Sequence, residues 1–373
     1  MTNYTTRRIA PTPREGIYEL YWTFASRRHA MFEARLSGRA QPWTDDPILK
    51  TYKFCNVFRA ADRVSQYMIA SVACDGERSA DADRLFRIVA FRTFSKIATW
   101  RRLRETLGAP RIEHLRDGSF ERALDMIKAE QGGLYTGAFI LCANKAFGFD
   151  EKHRNHVALF KRMFVEDELA ERLLHAPSLR SVVELLQSYP LMGPFMAYQT
   201  AVDLNYSDLL SFSENDYTQA GPGALRGIKK AFLDIGDYSP QDVILWMTEQ
   251  QEREFARLDL PFNGLFGRPL HAIDCQGLFC ELDKYCREAA PELQSDRSRI
   301  KARYTPSSEP VALQFPIKWR LRPQVSMMPA AMPVRAAQLD LEFDAVLQRP
   351  REKRMAGRPT KQQTEAIRDL FAV

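Results

Sequence analysis

The sequence predicts an all-α fold, and three observations support this prediction. Apolar residues recur at helical spacing over most of the first 290 positions of the 373-residue chain. Turn dipeptides typical of β-hairpins do not separate alternating apolar and polar runs. Continuous apolar runs that could supply the strands of a parallel sheet are also missing from the sequence. The length suits two domains, or one large domain with insertions.

Eight segments have the apolar spacing of helices that bury one face. Two of them begin at recognisable start signals, Asp46 followed by Pro47 and Ser239 followed by Pro240. One short strand is also expected, at residues 311–315. The predicted helices cover residues 16–37, 46–74, 80–107, 119–130, 152–175, 179–187, 239–258 and 277–289.

Beyond about residue 290 the helical spacing ends and prolines accumulate. We therefore predict three parts: a helical catalytic domain at 1–290, a proline-rich extended arm at 291–348 that packs on this domain, and a basic mobile tail at 349–373. The tail has six basic residues between positions 349 and 361, against Glu352 alone. Charge of this density on a segment without an apolar period is typical of a contact to DNA phosphates.

The composition is that of a mildly basic globular protein. Apolar residues make up 45% of the chain, and the net charge is +6 with a pI of about 8.9. No apolar run approaches the ~18 residues of a membrane span, and the N-terminus lacks the apolar core of a signal peptide. The six cysteines have no disulfide-framework or metal spacing, and no Glu, Asp or Cys at ligand spacing accompanies His153 and His156. We therefore expect a cytoplasmic protein without a membrane partner, a metal or a cofactor.

Basic residues also concentrate at positions 84–104, where seven cations occur without an acid. This charge is spread around the predicted helix, so part of it has to bond to protein and part can face DNA. Solvated helix faces are the alternative interpretation of this stretch.

The sequence AGPGALRG at 220–227 is typical of a glycine turn that opens a helix. Exposed N–H groups at the start of a helix suit a phosphate, because several donors and the positive end of the helix dipole point the same way. We therefore predict that Gly221, Gly223 and Arg226 contact a DNA backbone.

Asp274 is the candidate catalytic residue. It ends a short apolar stretch, HAI at 271–273, just before the predicted helix at 277–289. A carboxylate held inside a cleft acts strongly on nearby charge, because little water is present to screen it. The alternative is that Asp274 only caps the N-terminus of this helix.

Asn56, Arg59 and Arg63 are candidate substrate-binding residues. Their spacings of three and four place them on one face of the helix predicted over 46–74. Guanidinium groups bind phosphate oxygens bidentately, so this face suits a phosphorylated substrate. The alternative is pairing with acidic residues of the same region, namely Asp45, Asp46 and Asp62.

A second group of candidate substrate-binding residues contains Gln199, Asp203 and Asn205. A glutamine in a cleft can read a base edge through its donor and its acceptor. Trp43 and Tyr198 could stack on an extruded base. The alternatives are a polar edge on a buried helix for the first three residues and ordinary core packing for the two aromatic ones.

The glycine turn and Asp274 together resemble the hairpin and the aspartate of helix-hairpin-helix DNA glycosylases, in which the carboxylate works on an extruded base. A narrower resemblance covers residues 15–290, and its motifs are PWTDDP at 42–47, FCNVFRAADRVSQY at 54–67, GPFMAYQ at 193–199, DLNY at 203–206 and the Asp274 segment. In these motifs the chain is similar to the phage family of α-glutamyl/putrescinyl thymine pyrophosphorylases, or amino acid:DNA transferases. It is also similar to the helical domain of some 5-hydroxymethyluracil DNA kinases.

The resemblance implies a glycosylase-like helical fold and a transferase that acts on double-stranded DNA without a cofactor. An amine or amino acid would displace pyrophosphate from 5-pyrophosphoryloxymethyluracil, and Asp274 would stabilise a cationic species or take a proton from the amine. One alternative is a base-excision glycosylase for a modified pyrimidine, and another is a DNA-binding protein without chemistry. The 373 residues contain no GxxxxGK[ST] motif, so we do not expect a stand-alone kinase.

Overall fold

Helices form almost all of the regular structure in the described part of the chain. The computed structural model describes residues 8–74, 76, 79–136, 145–293, 297, 299–300, 302–305 and 313–321. Within these residues one sheet occurs, the antiparallel pair of β1 (Thr12–Pro13) and β2 (Phe232–Asp234). The α-helices of the same residues are α1 Ile17–Leu36, α2 Pro47–Thr51, α3 Arg63–Met68, α4 Asp81–Phe94, α5 Ile97–Leu107, α6 Glu113–Arg116, α7 Ser119–Gln131, α8 Lys152–Lys161, α9 Leu169–Leu174, α10 Leu179–Gln187, α11 Pro194–Tyr206, α12 Pro222–Ala231, α13 Pro240–Arg257 and α14 Ala272–Ala289. The predicted all-α class is confirmed.

Four predicted helices are confirmed to within one residue at each end, and these are α1, α7, α10 and α13. The start signal of α13 works as predicted, because the Ser239 side chain accepts the N–H of Asp242 at 3.1 Å. The helix expected at 277–289 begins five residues earlier, at Ala272. Asp274 therefore lies inside the first turn of α14 rather than before the helix.

Three long predicted helices are wrong, because each one is interrupted. The segment 46–74 contains α2, an extended loop and α3. The segment 80–107 breaks at Ser95, whose φ of 47° is left-handed, and 152–175 breaks at a π-helical turn and at Glu168, which also has a φ of 47°. Apolar spacing continues through all three breaks, so the pattern alone does not show them.

The helix α11 was not among the predicted ones. Every residue from Met196 to Tyr206 is buried, so no polar face marks a helical period. Residues 311–312 of the expected strand lie outside the described residues, and residues 313–315 form no strand. No helix in the described part of the chain is long and apolar enough to span a membrane.

The helix α14 lies at the centre of the core, where it packs against α1, α12 and α13. Its contact with α12 is very close, because a Cβ atom at Gly227 would lie 2.0 Å from the carbonyl oxygen of Phe279. The ring of Phe279 contacts Tyr21 of α1, with centroids 4.7 Å apart. This packing fixes the position of the first turn of α14, which carries Asp274.

The described residues beyond position 290 lie against the helical body. The N–H of Tyr304 donates to the carbonyl of Thr51 at 3.0 Å, and the N–H of Gln314 donates to Oε1 of Gln66 at 2.7 Å. The division of the chain at 290 and 348 stays a prediction. The predicted tail at 349–373 lies outside the described residues.

Candidate functional site

Asp274 joins the start of α14 to the loop between α2 and α3, which lies about 215 residues earlier in the sequence. Its side chain is buried, and Oδ2 accepts the N–H of His271 at 3.1 Å, which is the capping contact of a residue in the first helical turn. Its other oxygen, Oδ1, accepts the N–H of Arg59 at 2.9 Å. Asp274 therefore caps α14 and, at the same time, contacts a candidate substrate-binding residue.

The proton affinity of Asp274 is unusual for a carboxyl group. Burial raises its pKa to about 7, although the N–H groups of Arg59 and His271 act in the opposite direction. A carboxyl group with this pKa is partly ionised at neutral pH. It can accept or donate a proton in that range, as a general acid or base requires.

Arg59 is the residue around which the site is assembled. Its Nη2 lies 2.8 Å from Oδ1 of Asp203, and its Nε donates to Oε1 of Gln199 at 3.0 Å. Although burial acts against the charged form, the Asp203 carboxylate raises the pKa of Arg59. The guanidinium also lies 5.5 Å from the centroid of the Tyr206 ring. Arg59 is therefore a fixed cation with its backbone bonded to Asp274.

Two of the three polar candidates on α11 belong to this cluster. Gln199 contacts Arg59 and also donates to Oε1 of Gln276 at 3.4 Å, and Asp203 pairs with Arg59. Asn205 has a different surrounding, because its side chain accepts the N–H of Phe212 at 3.0 Å and donates to the carbonyl of the same residue at 3.1 Å. Asn205 therefore holds the turn that follows α11.

Asn56 lies in the loop before Arg59, whereas Arg63 is the first residue of α3, so the three residues do not share one helix face. Asn56 accepts from Nη2 of Arg28 at 2.6 Å, and its N–H donates to Oδ1 of Asp62 at 2.9 Å. Arg63 is exposed at the start of α3. The common helix face predicted for these residues is wrong, because no continuous helix runs from Asn56 to Arg63. The N–H of Asn56 bonds to the Asp62 side chain, and the N–H of Arg59 bonds to Asp274 of α14.

The two aromatic candidates are placed differently. Trp43 is half-buried, and its indole N–H donates to the carbonyl of Arg39 at 2.7 Å. Tyr198 is fully buried on α11, with its ring 6.1 Å from that of Tyr217. Stacking of either ring on an extruded base stays a prediction.

The glycine turn at the start of α12 packs against its neighbours. A Cβ atom at Gly221 would lie 2.6 Å from the ring of Phe195, and one at Gly223 would lie 3.0 Å from Sγ of Cys280. The cation of this segment is also engaged: Arg226 pairs with the fully buried Asp283 at 3.0 Å. Close packing thus explains both glycines, and a DNA contact at this turn stays a prediction.

Sequence reasoning missed Arg92, which pairs with the second oxygen of Asp203. Its signal was the acid-free basic stretch at 84–104, whose cations need partners from elsewhere in the chain. Arg92 and Arg87 of this stretch are buried, whereas Arg102 pairs with Glu130 at the surface. Part of the basic stretch at 84–104 therefore forms contacts within the protein.

A second group of polar residues lies away from Asp274. Oxygen and nitrogen atoms of Asp125, Glu151 and His153 lie within 4.8 Å of one another. Asp125 comes from α7, so the fold brings to His153 an acid that spacing in the sequence does not indicate, and the absence of a metal stays a prediction. Lys128 and Arg154 pair with these carboxylates, at 2.7 Å and 3.1 Å.

The fold and the site define a helical domain with a buried aspartate–arginine centre. The model of the helical domain of 5-hmdU DNA kinase matches residues 15–295, and the chain belongs to this family. A relative, the 5-hmdU DNA kinase of Bacillus phage SP10, is 27% identical over 311 residues, which make up 78% of this chain and 48% of the relative. The chain thus spans about half the length of that protein. No solved structure matches the chain.

Proposed function

We propose that this protein takes part in thymine hypermodification of DNA, as a transferase. In the proposed reaction an amine or amino acid displaces pyrophosphate from 5-pyrophosphoryloxymethyluracil in double-stranded DNA. The observation that carries the proposal is the contact between Asp274, a buried carboxyl group with a pKa of about 7, and the loop that holds Arg59. Membership of the helical-domain family and the hydroxymethyluracil named in the relative support the same substrate class.

The proposed reaction assigns each side chain a separate task. The amine nitrogen attacks the methylene carbon, the bond from this carbon to the pyrophosphate oxygen breaks, and pyrophosphate leaves with the electron pair. Ionised Asp274 takes the proton that the amine loses. The exposed Arg63, and Lys53 beside it, neutralise the leaving group, and Gln199 reads the base.

The kinase activity in the relative's name is not part of the proposal. The 373 residues contain no GxxxxGK[ST] motif, and half of the relative has no counterpart in this chain. A base-excision glycosylase is the second candidate, because a buried aspartate near a cation also suits attack of water at a sugar carbon.

A mass spectrum of nucleosides from treated DNA separates these functions. DNA that carries 5-pyrophosphoryloxymethyluracil is incubated with the protein and a panel of amines and amino acids. The transferase yields an amine adduct on thymine, whereas a glycosylase yields an abasic site. Unchanged nucleosides with every amine would contradict both reactions.

The control variant is Asp242→Asn. Asp242 occupies the same position of α13 that Asp274 occupies in α14, and its Oδ2 accepts the N–H of Ser239 at 3.0 Å. It does not contact Arg59. Loss of the adduct in Asp274→Asn but not in Asp242→Asn would assign the effect to the site and not to helix capping.

A further inference from the structure

Two carboxylates of α14 hold the two ends of one loop. The N–H of Cys55 donates to Oε2 of Glu281 at 3.0 Å, and the N–H of Arg59 donates to Oδ1 of Asp274 at 2.9 Å. Asp274 and Glu281 are seven residues apart, so they lie on one face of α14 at a distance of about 10.5 Å along its axis. Residues 55–59 therefore run beside this face, antiparallel to the helix.

Gly277 lies on the same part of α14, three residues after Asp274 and four before Glu281. It is in the interior of an 18-residue helix, where glycine is less favourable than alanine because it loses more backbone freedom on folding. A Cβ atom built on Gly277 would meet no atom of the described residues within 4 Å beyond its own helical turns. Gly227 is different, since its contact with Phe279 requires a glycine.

Neither backbone conformation nor packing accounts for Gly277. Its backbone is helical and has no positive φ, and the space above it is open and partly exposed. Among the described residues, the space over Gly277 is therefore open and leaves room for a molecule that the protein binds.

The charges at the Cys55 end of this space suit an anion. Burial lowers the pKa of Lys53, and so do the nearby cations Arg63 and Lys284, whereas the Asp62 carboxylate acts in the opposite direction. Three positive groups therefore lie near one another in this region. The carboxylate of Glu281 is already paired with Lys284 at 2.5 Å. At the other end lies Asp274, which accepts the backbone N–H of Arg59.

We propose that Gly277 forms the floor of a binding groove for the phosphoryl groups of the substrate, between residues 55–59 and α14. This inference rests on the proposed function. In it, the pyrophosphoryl substituent of the base lies over Gly277, with its methylene carbon toward Asp274 and its terminal phosphate toward Lys53 and Lys284. A side chain at position 277 would fill the space that the pyrophosphoryl group needs.

The test uses Gly277→Ala and Gly277→Leu in the full chain, with inorganic pyrophosphate as the probe. Calorimetry measures pyrophosphate binding, and urea unfolding measures stability. We expect Gly277→Ala to unfold at a urea concentration no lower than the wild type, because alanine favours the helix. Pyrophosphate binding should weaken moderately in Gly277→Ala and at least tenfold in Gly277→Leu. The matched control is Ala256→Leu, which adds the same side chain at an exposed position of α13 and should leave binding unchanged.

The result that overturns the groove is pyrophosphate binding in Gly277→Leu equal to that of the wild type, or no binding of pyrophosphate by the wild type at millimolar concentration. Failure of the proposed function looks different. In that case pyrophosphate binds to the wild type and not to Gly277→Leu, yet no amine is transferred to DNA. Conversely, normal transfer of an amine to DNA by Gly277→Leu would support the transferase function and contradict the proposed groove.

Discussion

Asp203 lies 2.8 Å from Nη2 of Arg59 and has no exposed side-chain surface. Its second oxygen pairs with Nε of Arg92, so one carboxylate neutralises two guanidinium groups from different parts of the chain. Asp203 thereby joins α11, α4 and the loop that contacts Asp274. The candidate site and the contact between α4 and α11 therefore share the side chains of Asp203, Arg59 and Arg92.

We expect Asp203→Asn to lower the free energy of unfolding by about 3–5 kcal/mol, because it leaves two buried guanidinium groups without a counter-charge. Urea unfolding measures this loss. The control is Asp208→Asn, which breaks an ion pair with Arg84 at a carboxylate that is 62% exposed and should cost about 0–1 kcal/mol. Equal losses in the two variants would contradict the structural role of Asp203.

The second prediction concerns the activity of Asp274→Asn. The variant should keep DNA binding and lose most turnover, about a hundred- to a thousandfold, because the amide cannot take a proton or carry the charge. The wild-type rate at saturating substrate should rise with pH around 7, since the ionised form of Asp274 is the base. A variant with near-normal turnover and a lower melting temperature would show that Asp274 is only a helix cap.

The same raised pKa has a consequence for stability. An ordinary aspartate has a pKa near 4, whereas folded Asp274 has one of about 7, so the folded state favours the protonated form. The contribution of Asp274 to stability is therefore complete below about pH 4 and is lost as the pH rises to 7. The wild type should therefore lose stability relative to Asp274→Asn between pH 4 and 7, as measured by urea unfolding. It should show no such loss relative to Asp242→Asn, because, although burial acts in the opposite direction, hydrogen bonds from Ser239 and Arg8 lower the pKa of Asp242.

The spacing of apolar residues in the sequence was sufficient to predict the bounds of helices such as α1 and α13. It was also sufficient to select Asp274, Arg59 and Asp203 as candidates. It could not show that the helix predicted over 46–74 is broken, because the acceptor for the Arg59 N–H is 215 residues away in the sequence. A hydrogen bond between residues so far apart in the sequence does not change the spacing of apolar residues, so the pattern cannot indicate it.

The sequence also could not predict which candidate residues contact one another. Arg59 has acidic neighbours in sequence, yet it pairs with Asp203 on α11, a helix that is buried on all sides and gives no periodic signal. Tertiary packing therefore decides which carboxylate each cation meets. Charge counts along the chain predict only that partners must exist.

The third prediction separates the exposed arginine of the loop from the buried one. Arg63→Ala should change the free energy of unfolding by no more than about 1 kcal/mol, because contacts of an exposed arginine contribute little. It should weaken reaction with pyrophosphorylated DNA far more than binding of unmodified DNA. Arg59→Ala should impair the reaction and also destabilise the fold, because Asp203 loses a partner. If Arg63→Ala reduces binding of both DNAs equally, Arg63 contacts the DNA backbone instead.

The last prediction concerns Lys318, which ties the described end of the arm to the body. Its Nζ donates to the carbonyl of Leu210 at 2.7 Å and to that of Asn205. Lys318→Met should lower the free energy of unfolding by about 1–3 kcal/mol at pH 7, because buried carbonyls lose their donor. Lys229→Met, at an exposed position of α12, is the control and should have little effect.

The pH dependence of this loss tests the contact further. Burial lowers the pKa of Lys318 to about 8, although Glu214 acts in the opposite direction. The unfolded chain, with a lysine pKa near 10.4, binds more protons than the folded one between pH 8 and 10. The wild type should therefore gain stability relative to Lys318→Met as the pH rises through this window. Urea unfolding at several pH values measures the difference, and a difference that stays constant or shrinks would show that Lys318 remains solvated rather than buried against α11.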